Sequence, residues 1–159
     1  MNNKKLKIVL SGVNIIDAGQ LQIFRYLLNA FLKRNVEIIC LVNSKSLFDE
    51  KLNDQVTFIE YPQIKKSWIK RIIFEYFSLL RISKKIDSDI WINMQDTSAR
   101  VYSYNSFVYC HNPSMFGEKK LWHLFYEWKF FIWTYLYKYL FRINIKSNRG
   151  VIVQQEWIA

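Results

Sequence analysis

The chain has 159 residues, 51% of them hydrophobic and 18% aromatic, which suits one compact domain with a substantial core and excludes disorder and low complexity. With 4 Gly and 2 Pro it lacks the turn residues that a many-stranded sandwich needs every few positions, so long elements are expected. The formal net charge of +10 is local: residues 62–86 and 119–149 each hold seven basic residues and one acidic residue, while the rest is slightly acidic.

Residues 7–11, Lys-Ile-Val-Leu-Ser, form a short apolar run closed by Gly12 and read as a strand. Beyond it Leu21, Phe24, Leu27, Leu28, Phe31 and Leu32 recur at three and four residues, which sets them on one helical face. Asp17, followed three positions later by Gln20, resembles a capping box and starts this helix near Ala18. Residues 36–42 are rich in β-branched side chains and nearly all apolar, as in a strand buried on both faces of a parallel sheet. Residues 1–42 therefore read as a βαβ unit. Residues 44–55 read as a polar, exposed connection.

Residues 56–61 read as another strand, closed by Pro62, and Ser67 caps a helix expected to run to about Lys85. At about 100° per residue, Trp68, Ile72, Tyr76, Leu79 and Leu80 gather on one side. Lys66, Lys70, Arg81, Lys84 and Lys85 gather on the other. Residues 89–93 and 106–110 follow as short strands, the first leading into the polar loop 94–100. Residues 119–143, with eleven aromatic side chains, read as a long helix, and residues 150–154 as a last strand. This alternation predicts an α/β, Rossmann-like fold: an open, mostly parallel sheet with helices on both faces, in a single domain over 1–159. Ligands of such sheets bind beyond the carboxyl ends of the strands, which singles out loops 12–20, 43–47, 61–67, 94–101 and 111–119.

Loop 12–20 offers backbone N–H groups near a helix start, but it lacks Gly-x-Gly-x-x-Gly spacing and carries Asp17, which repels phosphate. It reads as shaping a pocket rather than gripping a pyrophosphate. His111 follows a strand directly, at the ligand edge, with Asn112-Pro113 turning the chain after it. It is the candidate catalytic residue, the alternative being a histidine hydrogen-bonded at a strand end. Asp96 is the loop carboxylate best placed for acid–base work, the alternative being a cap for the following turn. His123 reads as part of a polar helix face. Two separated histidines make no metal site, and Cys40 and Cys110, each inside an apolar run, look like buried thiols of a reducing compartment. No run reaches the roughly 18 uncharged apolar residues of a membrane span, and no signal peptide is legible, so a cytoplasmic location is expected. The two basic segments, interleaved with aromatic residues, suit either nucleic acid or an anionic lipid surface.

Lys7-Ile-Val-Leu-Ser-Gly-Val-Asn-Ile-Ile, the Gly19 helix start, Lys66-Ser-Trp-Ile-Lys-Arg-Ile-Ile-Phe-Glu-Tyr-Phe, Val108-Tyr-Cys-His-Asn-Pro and Val151-Ile-Val-Gln-Gln-Glu-Trp together resemble the amino-terminal half of family 4 (group 1) glycosyltransferases. These are enzymes of bacterial surface-polysaccharide assembly, and the resemblance runs over almost the whole chain. It implies the acceptor-side domain of a GT-B architecture, which transfers a sugar from a nucleotide diphosphate sugar to a cell-surface glycan or lipid-linked acceptor. It implies catalytic His111, a neutral imidazole donating to a sugar hydroxyl, with substrate contacts at Ala18, Gly19, Gln95, Asp96 and Asn112. No metal or cofactor is implied; the donor sugar binds mainly to a C-terminal domain, absent from this chain, without which the fragment is expected to be inactive. The implied location is peripheral, at the inner face of the plasma membrane, with Lys66, Lys70, Arg81, Lys84 and Lys85 facing anionic lipid and no nucleic acid bound. The rival expectation is a non-enzymatic basic module that binds nucleic acid or anionic membrane.

Overall fold

The computed structural model describes residues 5–16, 18–111, 139 and 142–154. Its strands are β1 (Leu6–Gly12), β2 (Val36–Val42), β3 (Val56–Glu60), β4 (Ser88–Asn93), β5 (Ser103–Cys110) and β6 (Gly150–Val153). They form one sheet in the order β3-β2-β1-β4-β5-β6, and every neighbouring pair is parallel. The chain builds outward from β1 to one edge, then returns to the middle and builds to the other. This is a doubly wound, Rossmann-like α/β sheet, and the reversal between β1 and β4 leaves the crevice where such sheets hold ligands.

The expected strands are all present. The largest boundary difference is β5, which begins at Ser103, three residues before the apolar run that revealed it. Its polar start is held by pairing, with Ser103 opposite Ser88 and their hydroxyls 3.2 Å apart. The helix expected over 119–143 lies outside the described residues except at 139, 142 and 143, and His123, Asp17 of the expected capping box and Asn112 lie outside them. Among the described residues no helix is long and apolar enough to cross a membrane.

Alternation along the strands divides the core in two. Ile8, Leu10, Ile38, Cys40, Val42 and Ile92 point to one face, where Leu21, Phe24 and Leu28 of α1 (Ala18–Leu32) cover them. Val9, Ile39, Leu41 and Trp91 point to the other, under Phe74 and Leu79. Burial on both faces explains why β1 and β2 read as near-continuous apolar runs. Cys40 and Cys110 are buried and neither is in a disulfide. Burial pushes the Cys40 thiol well above its ordinary pKa.

Two expectations are corrected. The connection between β2 and β3 is not wholly an exposed loop. Phe48 is buried, packing edge-on against Phe24 at 5.3 Å and against Phe58 at 5.1 Å, and Leu47 and Leu52 lean on the same core. The polar residues around Phe48 hide it from a reading by composition. They also hold its turn: the Ser44 hydroxyl and the Lys45 N–H donate to Glu60 Oε1, at 3.0 and 2.8 Å, and keep that carboxyl below its ordinary pKa.

The second correction concerns the segment after β3, a run of α2 (Trp68–Ile73), a π-helical turn (Phe74–Ser78) and α3 (Leu79–Ile86). Its buried residues are Phe74, Glu75, Leu79 and Ser83, whereas Trp68 is largely exposed. The π turn bonds i to i+5 and so spends one extra residue. That separates Phe74 from Leu79 by five positions and rotates α3 away from the face that a regular helical wheel assigns.

Candidate functional site

The site lies where the reversal predicts it. A cavity of about 370 Å³ opens beyond the carboxyl ends of β1, β4 and β5. The loop after β1 brings Asn14 and Ile15, α1 brings Gln20, and the loop after β4 brings Gln95 and Asp96. His111 stands at the end of β5. Ile64, Lys65, Ser67, Trp68 and Arg71 close the cavity from the approach to α2 and its first turn.

The loop after β4 is fixed by a buried polar network. Glu75 is 2% exposed and accepts from Arg71 Nε at 2.8 Å and from the Thr97 hydroxyl at 2.6 Å. Arg71 Nη2 donates onward to the Gln95 carbonyl at 3.0 Å and to Thr97 Oγ1 at 3.4 Å. The Arg100 N–H donates to the Glu75 carbonyl, and Asn93 donates to the Thr97 carbonyl. A carboxylate buried this deeply is tolerable only when paired and fully hydrogen-bonded, and both oxygens of Glu75 meet that condition.

This scaffold sets the geometry of Asp96 and His111. Asp96 adopts the left-handed conformation, φ 62°, which a short polar side chain tolerates better than most, and its N–H donates to the Tyr109 carbonyl. Asp96 Oδ1 then accepts the His111 N–H at 2.7 Å, and Oδ2 stands 3.3 Å from His111 Nε2. Burial holds the imidazole below its ordinary pKa; Asp96 pulls it up in part and Arg71 pushes it further down. The ring is neutral near pH 7. Asn14 Nδ2 donates to Gln95 Oε1 at 2.6 Å. Their other amide atoms, Asn14 Oδ1 and Gln95 Nε2, are buried without a hydrogen-bond partner among the described residues. Such atoms carry a desolvation cost that a polar ligand would relieve.

No protein family, curated protein or solved structure matches this chain. The reading of the site therefore rests on its geometry.

Of the residues singled out in the sequence, His111, Gln95 and Asp96 come together at the cavity. Ala18 and Gly19 open α1; Gly19 does not line the cavity, and among the described side chains of that turn the lining residue is Gln20. A Cβ on Gly19 meets nothing within 4 Å, so no described group approaches that glycine closely. Gly12 is the constrained one, since a Cβ there falls 2.6 Å from the Phe24 ring. Sequence reasoning missed Asn14, Gln20 and Arg71. For Arg71 the signal was present: Glu75, the lone acid of the basic segment 62–86, lies four residues on, the spacing of a helical ion pair. Among the described residues no group of three His, Cys, Asp or Glu side chains is placed to hold a metal.

Lys66, Lys70, Arg81, Lys84 and Lys85 are all exposed, away from the cavity lining. Beside them Ile69 and Phe77 are 68% and 64% exposed, and Ile73 about half. With Glu75 turned inward, the exposed side chains of this segment are cationic and apolar.

Proposed function

We propose that the chain is the acceptor-side domain of a glycosyltransferase that moves a sugar from a nucleotide diphosphate sugar to a glycan or lipid-linked acceptor. The observation that carries this reading is the cavity at the β1/β4 reversal, walled by amides and a neutral imidazole. Paired amides offer donors and acceptors together, which suits the hydroxyls of a sugar. The glycine-rich phosphate cradle of a dinucleotide site is missing from loop 12–20, and Gly12 serves helix packing against Phe24. On this reading the donor nucleotide binds mainly to a second domain, and the 159-residue chain alone turns over no nucleotide sugar. The cationic and apolar outer face of α2 and α3 supports a peripheral position on an anionic membrane, since exposed Ile and Phe beside Lys and Arg suit a lipid interface.

Ligand-observed NMR on the chain tests the reading, with methyl glycosides on one arm and UDP, AMP and NAD on the other. Glycoside binding that is lost in Gln95→Ala supports it. Tight NAD binding in the cavity, or glycoside binding indifferent to Gln95→Ala, overturns it. Sedimentation with phosphatidylglycerol vesicles, neutral vesicles, a DNA duplex and a single strand in one buffer tests the outer face. Salt-sensitive binding to the anionic vesicles alone is expected. Tight nucleic-acid binding with indifference to anionic lipid favours the rival basic module.

A further inference from the structure

We propose that the acceptor is lipid-linked and that its hydrocarbon chain lies in an apolar cavity beside α2 and the π turn, next to the cavity that takes its sugar. The proposal rests on the glycosyltransfer reading for the sugar and narrows the acceptor to an amphiphile. This cavity measures about 360 Å³ and is lined, among the described residues, by Ile72, Tyr76, Phe77, Arg100, Ile143 and Asn144. Aliphatic and aromatic side chains dominate it, whereas the cavity at the β1/β4 reversal brings amides, an imidazole and charged groups. A chain suits the one and hydroxyls suit the other.

The two cavities share their walls. Trp68 and Arg71 line the first, and Ile72 and Tyr76 line the second. Trp68, Ile72 and Tyr76 follow one another at intervals of four, which sets them in one stripe, and the step from Trp68 to Ile72 rises only about 6 Å. The loop after β4 also serves both, with Gln95 and Asp96 at the first cavity and Arg100 at the second. The Arg100 N–H donates to the Glu75 carbonyl at 2.9 Å, and Asn148 Nδ2 donates to Ser98 Oγ at 2.7 Å, which ties the turn after Ile143 to the same loop. A sugar held by Asn14 and Gln95 can therefore continue into a chain along Trp68 and Ile72 without leaving the protein. Charge fits the same amphiphile. Among the described residues Arg100 pairs with no carboxylate, and the exposed cations of α2 and α3 lie on the same segment, so an anionic link between sugar and chain meets positive charge. Phe77 is 64% exposed and belongs both to this cavity and to the outer face with Ile69 and Ile73, so the cavity opens on the face suited to a lipid interface.

Ligand-observed NMR on the chain tests the proposal, with matched octyl and methyl β-glucosides and β-galactosides, each below its micelle concentration. The octyl glycoside should bind at least tenfold more tightly than its methyl partner, a factor that burial of about two methylenes supplies. That ratio should fall toward one in Phe77→Ser and in Ile143→Ser, whose native side chains are exposed, so neither change opens the core. 1-Octanol, a chain without a sugar, should bind more weakly than the octyl glycosides. Octyl phosphate should bind more tightly than 1-octanol and lose that advantage in Arg100→Gln. A wild-type ratio near one, or a ratio unmoved by both serine substitutions, overturns the chain site, and the first of these needs no variant to fold. 1-Octanol that binds as tightly as the octyl glycosides assigns the cavity to membrane lipid and overturns its role for the acceptor. An octyl phosphate advantage untouched by Arg100→Gln overturns the anionic link. Absence of binding by octyl and methyl glycosides alike instead overturns the glycosyltransfer reading, and the acceptor assignment falls with it.

Discussion

The two faces of the sheet are built from the same alternating strands yet differ in kind. Under α1 the contacts are apolar throughout, from Phe24 and Leu28 to the Phe48 and Phe58 rings, and the buried residues of that cluster carry no charge. Under α2 and α3 a comparable apolar set, Val9, Leu41, Trp91, Phe74 and Leu79, shares its space with buried Glu75 and Ser83. Ser83 accepts from the Tyr102 N–H at 2.7 Å and donates to the Leu80 carbonyl, tying the approach to β5 to the helix. Hydrophobic burial is non-directional and secures the fold without choosing a loop geometry. A buried polar network tolerates few arrangements, since each misplaced partner leaves an unsatisfied group. The dry face therefore stabilises, and the polar face orients the loop that presents Gln95, Asp96 and, through Asp96, His111.

The largest effects should come from cutting each face at its centre. Phe24→Ala removes a buried ring from the dry face and should cost about 3–5 kcal/mol in urea unfolding. Glu75→Ala leaves Arg71 and Thr97 without their acceptor and should cost a similar ~3–5 kcal/mol. The repairs differ, and that sharpens the comparison. Replacing Arg71 and Glu75 together by Met and Leu should restore stability to the wild-type level or above, because a buried ion pair is often matched by apolar residues of similar volume. The same double variant should lose glycoside binding, because the Gln95 carbonyl then keeps only its local bonds from Thr97 and the loop loses its tie to α2. If it keeps both stability and binding, the network does not orient the loop.

Next in size is Gly12→Ala. The added Cβ meets the Phe24 ring at 2.6 and 2.8 Å and Ile15 at 3.0 Å, so helix α1 must shift from the sheet, at about 1–3 kcal/mol. Phe24→Leu in the same chain should recover part of that loss, a non-additivity that thermal unfolding of the single and double variants can measure. Additive losses would mean that Gly12 is constrained by something other than the ring.

The dry face was legible in the sequence and the polar face was not. Leu21, Phe24 and Leu28 repeat at helical spacing, and strands buried on both sides read as apolar runs, so order, class and α1 follow from pattern alone. His111 and Asp96 were visible because each directly follows, or lies just beyond, an apolar run that ends in a parallel sheet. Arg71 was hidden by its neighbours: in a segment of seven cations, nothing marks the one that turns inward except the spacing to Glu75. The π turn was hidden for a related reason, since a wheel of fixed pitch has no place for an extra residue. Phe48 was masked by polar neighbours that exist to hold its turn. In each case the missing information is a long-range contact, which local periodicity does not carry.

The smallest expected effect is a dependence on pH. Burial holds the His111 imidazole below its ordinary pKa, and Arg71 adds to this while Asp96 opposes it. In the unfolded chain the ring takes up a proton near pH 6.5, the ordinary value for histidine; in the folded chain it does so only at lower pH. Between those two values the unfolded state binds more protons, so stability rises with pH across that window. The contribution is complete above about pH 6.5 and is lost as pH falls through the folded value. Urea midpoints should therefore drop from pH 7.5 to pH 5, and His111→Gln should reduce the drop without abolishing it, because the carboxylates titrate in both chains. Asp96→Asn, which removes the one group that raises the imidazole, should widen the window and steepen the loss. Phe24→Ala sits on the other face and should lower the midpoint equally at both pH values. An equal response to pH in wild type and His111→Gln would show that the imidazole is as free to ionise folded as unfolded, which is incompatible with its burial against Asp96.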